Sequence, residues 1–242
     1  MNSFTYNGQN SLDFGVRIKE KNVYSAPAYG LTYQSIPGRD GDLLQSERCF
    51  KNIVISYTCF IPASSVSELA EKTRQVKEWL YTAPDRYHIL RDTYNEGFFR
   101  KGVIHNQLDI SDVARRIGQF VVRFNCQPWL YADSGETTIT RTSSSFTLSN
   151  PYGFESKPYI RLYGSGSGTL TIQGDWSNRV WQFADVADYI EIDSALMNFY
   201  KGTVPKNNTV SGNGFPSFAP GTNAITLSGF SRIEIEPRWR TL

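Results

Sequence analysis

The chain has 242 residues, 40% hydrophobic and 14% aromatic, which fits one large or two smaller folded domains. Its 25 basic and 23 acidic side chains give a formal net charge of +2. This balance disfavours nucleic acid or an anionic membrane as partner, because phosphate binding needs clustered Lys and Arg. The three cysteines Cys49, Cys59 and Cys126 are a poor disulfide framework, and no apolar run approaches the length of a membrane span.

The first half of the sequence predicts β-strands and one helix. Alternation over residues 53–61 indicates a strand that is largely buried on both faces. Ser65 and Glu68 form the pattern of a capping box, with Ser65 as the N-cap and Glu68 reaching back to it. Alternation over residues 118–128 predicts the clearest strand and places Cys126 on its apolar side. The buried face of the helix is expected to contain Val66, Leu69, Thr73, Val76 and Leu80. Two further strands are expected at 87–92 and 98–104.

A change of composition marks the predicted boundary between two domains. Residues 132–149 are rich in Ser and Thr and nearly lack large apolar side chains. Short strands with glycine turns follow and predict an antiparallel β-sandwich. The glycine-rich stretch 164–168 is interpreted as a flexible hairpin turn between two of them. The strands are expected at 159–163, 169–173, 179–183, 189–192, 224–227 and 232–235.

Residues that catalysis would need are sparse. The two histidines, His88 and His105, lie in strand-like runs without another ligand at metal-binding spacing. The sequence has neither a GxSxG elbow nor a phosphate-binding P-loop. Paired carboxylates on strands are typical of a solvated face more often than of glycoside hydrolysis. These pairs are Asp185 with Asp188, Glu191 with Asp193, and Glu234 with Glu236. We therefore expect no enzyme activity, no catalytic residue, no cofactor and no metal.

Several motifs, in chain order, resemble the distal tail proteins of long-tailed bacteriophages. Residues 4–18 are similar to the start of that family, F-x-[FY]-N-G-x-x-S-x-[DE]-[FY]-G-[VI]. Residues 36–44, IPGRDGDLL, resemble its [VI]-P-G-R-D-G-x-L loop, which is the most specific piece. The matching pieces run from residue 4 to about residue 237. Later pieces of the resemblance lie at 150–160, 190–194 and 215–225.

The resemblance implies a mainly β fold in two domains. Residues 1–132 are expected to form an N-terminal β-sandwich with one α-helix. Residues 133–242 are expected to form a C-terminal β-sandwich that is galectin-like or similar to a carbohydrate module. The last strand, 230–242, either stays with this second domain or returns to the first. Residues 153–227 leave room only for short loops, so no long arm that grasps receptor-binding proteins is expected.

The implied function is that of a structural subunit of the phage tail tip. The N-terminal domain is expected to form a homo-hexameric ring, single or stacked, that joins the tail tube to the baseplate and host-adsorption apparatus. Expected partners are the tail tube protein, the tail-associated lysin or fibre hub, and the tape measure protein. DNA would pass through the ring lumen without sequence-specific binding, and no membrane partner is expected. The expected location is the virion tail, after assembly in the host cytoplasm.

The signature loop supplies the candidate subunit-interface residues. Proline and glycine there predict a tight turn. Arg39 and Asp40 either contact a neighbouring subunit or only stabilise their own turn. The full candidate set is Pro37, Gly38, Arg39, Asp40 and Gly41.

An alternative function is a carbohydrate-binding module that attaches the virion or an enzyme to cell-wall polysaccharide. Aromatic side chains are frequent in the second half, and exposed ones on a β-sandwich stack on sugars. Most of them are expected in the core. The candidates for sugar stacking are Trp176 and Trp181.

Overall fold

The computed structural model describes residues 2–21, 24–113, 116–174 and 177–242, and it confirms a mainly β fold with one α-helix in that part of the chain. The chain divides into two compact units, one ending at Leu130 and one spanning Tyr131–Thr241. Within the described residues, no helix combines the length and the apolarity that crossing a membrane requires.

The N-terminal unit consists of one long antiparallel sheet, a separate hairpin and the helix. The strands of the long sheet follow the order β2-β1-β7-β8-β10-β6-β3, with β9 beside β10, and β4 pairs with β5. A short 3-10 helix, Ser11–Phe14, precedes β3. The bounds are β1 (Phe4–Tyr6), β2 (Gln9–Asn10), β3 (Arg17–Glu20), β4 (Tyr29–Gln34), β5 (Leu43–Phe50), β6 (Ile53–Pro62), α1 (Val66–Leu80), β7 (His88–Asp92), β8 (Phe98–Ile104), β9 (Ser111–Val113) and β10 (Ile117–Cys126).

The long sheet curls so that its ends approach each other. The Ile18 N–H on β3 donates to the Asn2 carbonyl, just before β1, at 3.1 Å. The Phe4 ring on β1 stacks on Tyr57 of β6 at 5.3 Å, although β7, β8 and β10 separate these strands in the sheet. The curled sheet therefore encloses an aromatic core between two layers.

Strands β6 and β10 form the longest ladder of this core. On β10 the predicted apolar face, which includes Cys126, is buried, so that prediction is confirmed. On β6 only one face is buried, and Val54 on the other face is exposed. The expectation that β6 is buried on both faces is wrong, because α1 and the curled sheet cover one side only. The buried side contains Ile53, Ile55, Tyr57, Cys59 and Ile61.

Helix α1 begins at a serine cap. The Ser65 hydroxyl accepts from the Glu68 N–H at 3.2 Å, as predicted. The Glu68 carboxylate accepts instead from the Ser64 N–H at 2.8 Å, so the predicted return bond to Ser65 is wrong. The carboxylate satisfies a donor one residue before the cap.

The buried face of α1 is rotated from the predicted one. Val66 is exposed, whereas Trp79 is buried and donates its indole N–H to the Tyr6 carbonyl at 3.1 Å. The Trp79 ring also stacks on Phe14 at 4.5 Å. The predicted residues that are buried are Leu69, Val76 and Leu80.

The C-terminal unit is an antiparallel β-sandwich, as predicted. One sheet has the order β12-β22-β14-β17-β18-β19 and the other β13-β21-β15-β16-β20, while β11 pairs with β23. The bounds are β11 (Leu130–Ala132), β12 (Ile139–Arg141), β13 (Ser145–Asn150), β14 (Tyr159–Tyr163), β15 (Gly166–Gly174), β16 (Ser177–Val186), β17 (Tyr189–Asp193), β18 (Asn198–Lys201), β19 (Val204–Pro205), β20 (Val210–Gly212), β21 (Gly221–Ser228), β22 (Arg232–Glu236) and β23 (Arg240–Thr241), with 3-10 helices Asp133–Gly135 and Asn207–Thr209.

The inner faces of the two sheets form the C-terminal core. Apolar side chains on alternate positions of β14, β17 and β22 are buried, and so are those on β15, β16 and β21. This alternation leaves the intervening residues of each strand on an outer face. The buried residues are Ile160, Leu162, Ile190, Ile192, Ile233 and Ile235 from the first sheet, and Leu170, Ile172, Trp181, Phe183, Ile225 and Leu227 from the second.

The glycine-rich stretch 164–168 is a crossover between sheets. It connects β14 in the six-stranded sheet to β15 in the five-stranded sheet, so the interpretation as a hairpin turn is wrong. A Cβ on Gly168 would lie 2.6 Å from the Phe230 ring, which explains the need for glycine there. The sequence left open which domain contains the segment 230–242. Strand β22 of this segment pairs with β12 and β14 of the C-terminal unit.

Candidate assembly surface

The hairpin of β4 and β5 displays the signature loop at its tip. The two strands pair antiparallel, with Tyr33 opposite Leu44 and Leu31 opposite Ser46. Because side chains alternate along a strand, Leu31, Tyr33 and Leu44 share one face of the hairpin. We call Leu31, Tyr33 and Leu44 the hairpin apolar face.

The hairpin pairs with no other strand in the part of the chain that the structure describes. Nearly every residue of β5 is exposed, and Tyr33 and Leu44 are 65% and 55% exposed. An isolated two-stranded hairpin is marginally stable in water, and an exposed apolar face usually marks an interaction surface. The hairpin therefore has the properties of an arm that packs against another molecule.

The base of the hairpin is attached to the N-terminal core by aromatic rings. The Phe50 ring lies 4.9 Å from Tyr29 and 5.3 Å from Trp129, both in edge-to-face geometry. The Lys51 N–H donates to the Ala28 carbonyl at 2.8 Å and closes the base. The arm thus extends from a base that is attached to the rest of the unit, and the signature loop lies at the opposite end of it.

The tip contains all five candidate interface residues. Gly38 and Gly41 both have a φ of 80°, which favours glycine, and the Arg39 N–H donates to the Ile36 carbonyl at 3.2 Å. The segment 37–41 is exposed throughout. The backbone bond from Arg39 to Ile36 closes the turn. Among the described residues, neither Arg39 nor Asp40 has an ion-pair partner, so both side chains are available for contact with another molecule.

A buried ion pair stabilises the chain that leads into the hairpin. The Lys21 ammonium lies 2.8 Å from the Asp92 carboxylate, and the two side chains are 4% and 6% exposed. The Tyr57 hydroxyl donates to the same carboxylate oxygen at 2.5 Å. Burial disfavours the charged carboxylate, but the bonds from Lys21 and Tyr57 hold the pKa of Asp92 below its usual value. Burial, with the nearby Asp92 charge, raises the pKa of Tyr57 well above its usual range.

Comparison with known proteins relates this architecture to a family of phage proteins. Residues 9–126, which include the hairpin, the helix and most of the long sheet, match the family described as the phage tail protein RIFT-related domain. This match spans just under half of the chain and likens its N-terminal unit to phage tail proteins. No curated protein matches the sequence.

Solved structures resemble the chain over its whole length. The crystal structure of the Dit protein of phage SPP1, described as a paradigm of the hub adsorption apparatus in phages that infect Gram-positive bacteria, matches with a TM-score of 0.79. The match covers 100% of both chains at 14% identity. A chain of the phage P2 baseplate in its activated conformation with Ca matches with a TM-score of 0.52, over 97% of both chains at 11% identity. At these identities the two matches show a common fold. Together with the family match, they confirm the resemblance to distal tail proteins.

The structure describes one of the two tryptophans suggested for sugar stacking. Trp176 lies outside the described residues. Trp181 is fully buried in the sandwich core, and its indole N–H donates to the Gly214 carbonyl at 2.9 Å. The expectation that Trp181 stacks on a sugar is wrong, because neither face of its ring reaches solvent. Alternation on β16 places it inward.

Two of the paired carboxylates are buried on the outer face of the six-stranded sheet. Glu191 and Asp193 are each 6% exposed, so the interpretation as a simple solvated face is wrong for them. Asp193 accepts two bonds from the Arg238 guanidinium, at 2.9 and 3.0 Å. Those bonds, against the opposing effect of burial, hold the pKa of Asp193 below its usual value. Sequence spacing identified these acids but not their partners, Arg161 on β14 and Arg238 just after β22.

Proposed function

We propose that this tail protein is the subunit of a hexameric ring, single or stacked, at the tip of the phage tail. The ring joins the tail tube to the baseplate and host-adsorption apparatus, and it acts through protein contacts without catalysis. Its partners are further copies of the chain, the tail tube protein, the lysin or fibre hub, and the tape measure protein. It resides in the virion tail after assembly in the host cytoplasm, and DNA passes through its lumen.

The observation that carries the proposal is the exposed hairpin arm. A closed ring of identical subunits needs a head-to-tail interface, in which one patch of each subunit contacts a different patch of the next. An arm with an apolar face and unpaired strand edges supplies one such patch. The similar SPP1 protein belongs to a hub adsorption apparatus, and this likeness supports the same assignment, as does the family match over the N-terminal unit.

The residues of the tip add directional contacts to this interface. Arg39 and Asp40 present one charge of each sign from an exposed turn, so each meets an opposite charge on the neighbouring subunit. Charged contacts of this kind fix register more than they add affinity. Gly38 and Gly41 hold the turn in a left-handed backbone conformation, and Pro37 restricts its first half.

The experiment replaces the apolar face of the arm and measures assembly. The double variant Tyr33→Ser with Leu44→Ser is compared with Val204→Ser, which removes an exposed apolar side chain from the C-terminal unit. Sedimentation velocity is measured over a concentration series, and circular dichroism checks the fold of each variant. The proposal predicts that the double variant dissociates at concentrations where the parent and Val204→Ser remain rings. Equal association of all three proteins would refute the role of the arm.

A further inference from the structure

Strand β13 is a long, unguarded edge of the C-terminal sandwich. The two sheets end at β12, β13, β19 and β20, and β13 has six residues whereas each of the others has two or three. Proteins usually guard an edge strand by short length, charge, proline or a bulge. β12 contains Arg141 and β19 contains Pro205, but β13 contains neither a charge nor a proline, and it pairs with β21 without a bulge. In the described part of this unit, no strand pairs with the other side of β13.

The backbone of β13 directs every second residue toward this open side. The Leu227 N–H on β21 donates to the Ser144 carbonyl, just before β13, at 2.7 Å. Because backbone groups point alternately to the two sides of a strand, the even-numbered residues of β13 face β21 and the odd-numbered residues face away from it. The residues whose backbone N–H and C=O groups face the open side are Ser145, Thr147 and Ser149.

The side chains of β13 form a self-complementary pattern, Ser-Phe-Thr-Leu-Ser over residues 145–149. Phe146 and Leu148 lie on the core side, where Phe146 is opposite the buried Ile225, yet both remain only partly buried at the edge of the sheet. The residues between and beside them are exposed. No charged residue lies between Arg141 and Glu155. Two copies of this strand therefore meet without placing like charges against each other.

From this pattern we propose that β13 pairs antiparallel with β13 of a second copy of the chain, across a two-fold axis at Thr147. In this register Thr147 lies opposite its own copy, and Ser145 lies opposite Ser149 of the second copy. Every backbone group that faces the open side then has a partner, because the three outward residues oppose one another.

The same register covers the apolar side chains at the edge. Phe146 lies opposite Leu148 of the second copy, so the two partly exposed side chains of each chain are covered by those of the other. Aromatic–aliphatic and Thr–Thr pairs are favourable cross-strand neighbours. A two-fold interface requires a patch that is complementary to itself, and this strand meets that requirement.

This contact differs from the head-to-tail contact that closes a ring. Where the chain forms the proposed ring, β13 joins two rings into a stack, and that consequence rests on the proposed function. A chain that formed no ring would pair through β13 as a dimer. In both cases, loss of the contact halves the mass of the particle.

The test measures mass by multi-angle light scattering over a concentration series, with circular dichroism to check the fold of each variant. Thr147→Lys places two like charges directly opposite each other on the axis, which is destabilising, and should halve the mass of the full chain. Thr147→Glu should do the same. An equimolar mixture of the two variants should recover the parent mass, because each lysine then faces a glutamate. The control is Ser211→Lys, the same substitution at an exposed position on edge strand β20 of the same sheet, and it should keep the parent mass.

Three results would overturn the proposal: a parent mass of one chain at every concentration, a parent mass that Thr147→Lys leaves unchanged, or a mixture that fails to recover the parent mass. Halving by Ser211→Lys as well would attribute the effect to added charge and would also overturn it. If the charged variants fail to fold, Thr147→Pro removes the outward N–H at the axis and leaves the bonds to β21, and it should likewise halve the mass.

The same masses distinguish this contact from the ring. A hexamer that Thr147→Lys leaves unchanged would support the ring and overturn the β13 contact. A dimer that Thr147→Lys reduces to a single chain would support the β13 contact and overturn the ring.

Discussion

The substitution Asp92→Asn should destabilise the N-terminal unit strongly. It leaves the Lys21 ammonium, whose side chain is 4% exposed, beside a neutral amide. Removing one partner of a buried ion pair costs about 3–5 kcal/mol. Asparagine retains the acceptor that bonds the N–H groups of Tyr94 and Asn95, each at 3.0 Å, so we expect the lower end, about 3 kcal/mol. For a chain of this size this corresponds to a fall in Tm of about 6–12 °C.

Differential scanning calorimetry at pH 7 and at one protein concentration measures this effect. The control is Asp85→Asn, which removes a carboxylate whose side chain is 71% exposed and should leave the Tm nearly unchanged. Adding Lys21→Met to Asp92→Asn removes the orphaned charge and should recover part of the loss. A loss below about 1 kcal/mol for Asp92→Asn, or no recovery in the double variant, would refute the reasoning.

The same ion pair makes stability depend on pH in a defined direction. The folded-state pKa of Asp92 lies below its unfolded value of about 3.9. The carboxylate therefore contributes its full stabilisation above the unfolded pKa, and the contribution is lost as pH falls through the folded pKa. Asp92→Asn should accordingly show a weaker loss of Tm with acidification below about pH 4 than the parent does. Parallel Tm profiles for the two proteins would contradict this.

Three further predictions concern other parts of the chain. Burial raises the pKa values of Cys59 and Cys126 to about 12, so a thiol reagent at pH 8 should modify only exposed Cys49 in the native protein, and Cys49→Ser should abolish that reaction. Three reactive thiols in the native protein would contradict this. Ser65→Ala should reduce the free energy of unfolding by about 1 kcal/mol in urea titration, and an unchanged midpoint would argue against the cap. Gly135→Ala should lower the Tm, because the added Cβ would lie 2.2 Å from the backbone nitrogen of Trp239. An unchanged Tm would show that the backbone at Trp239 can move away from the added Cβ.

The periodicity of the sequence predicted those strands and helices that bury a single face. The alternation along β10 correctly predicted its buried face, and β14 has the predicted bounds. In a strand with one buried face, apolar and polar residues alternate, so the sequence of the strand itself shows which residues face the core. Helix α1 was predicted from its serine cap and apolar spacing. Its exact face was not, because Trp79 is buried by contacts with Tyr6 and Phe14 that come from distant segments.

Features that depend on a second segment were not predictable from local patterns. The run in β6 has apolar residues on both faces, and nothing in that run indicates that only one face is covered. The stretch 164–168 has the composition of a hairpin turn, but which strands it connects depends on pairing elsewhere. Trp181 was named as a candidate for sugar stacking because the identity of an aromatic residue on a strand does not reveal which face of the sheet it occupies. The acids Glu191 and Asp193 were noticed, but their partners Arg161 and Arg238 lie on or beyond other strands.

The signature loop was identified through its resemblance to a family, and its structural setting came from the fold. Sequence predicted a tight turn at residues 37–41. It did not predict that the turn would end a hairpin that is unpaired with the rest of the described sheet and that exposes Tyr33 and Leu44. That isolation is a property of the folded unit, and it is the physical reason to expect a partner surface.

The mass of the purified protein in solution tests the central claim most directly. Multi-angle light scattering over a concentration series should give six chains of 27.4 kDa, about 164 kDa, or twice that mass for two stacked rings. A mass of one chain at every concentration would contradict the proposal that this protein assembles as a ring.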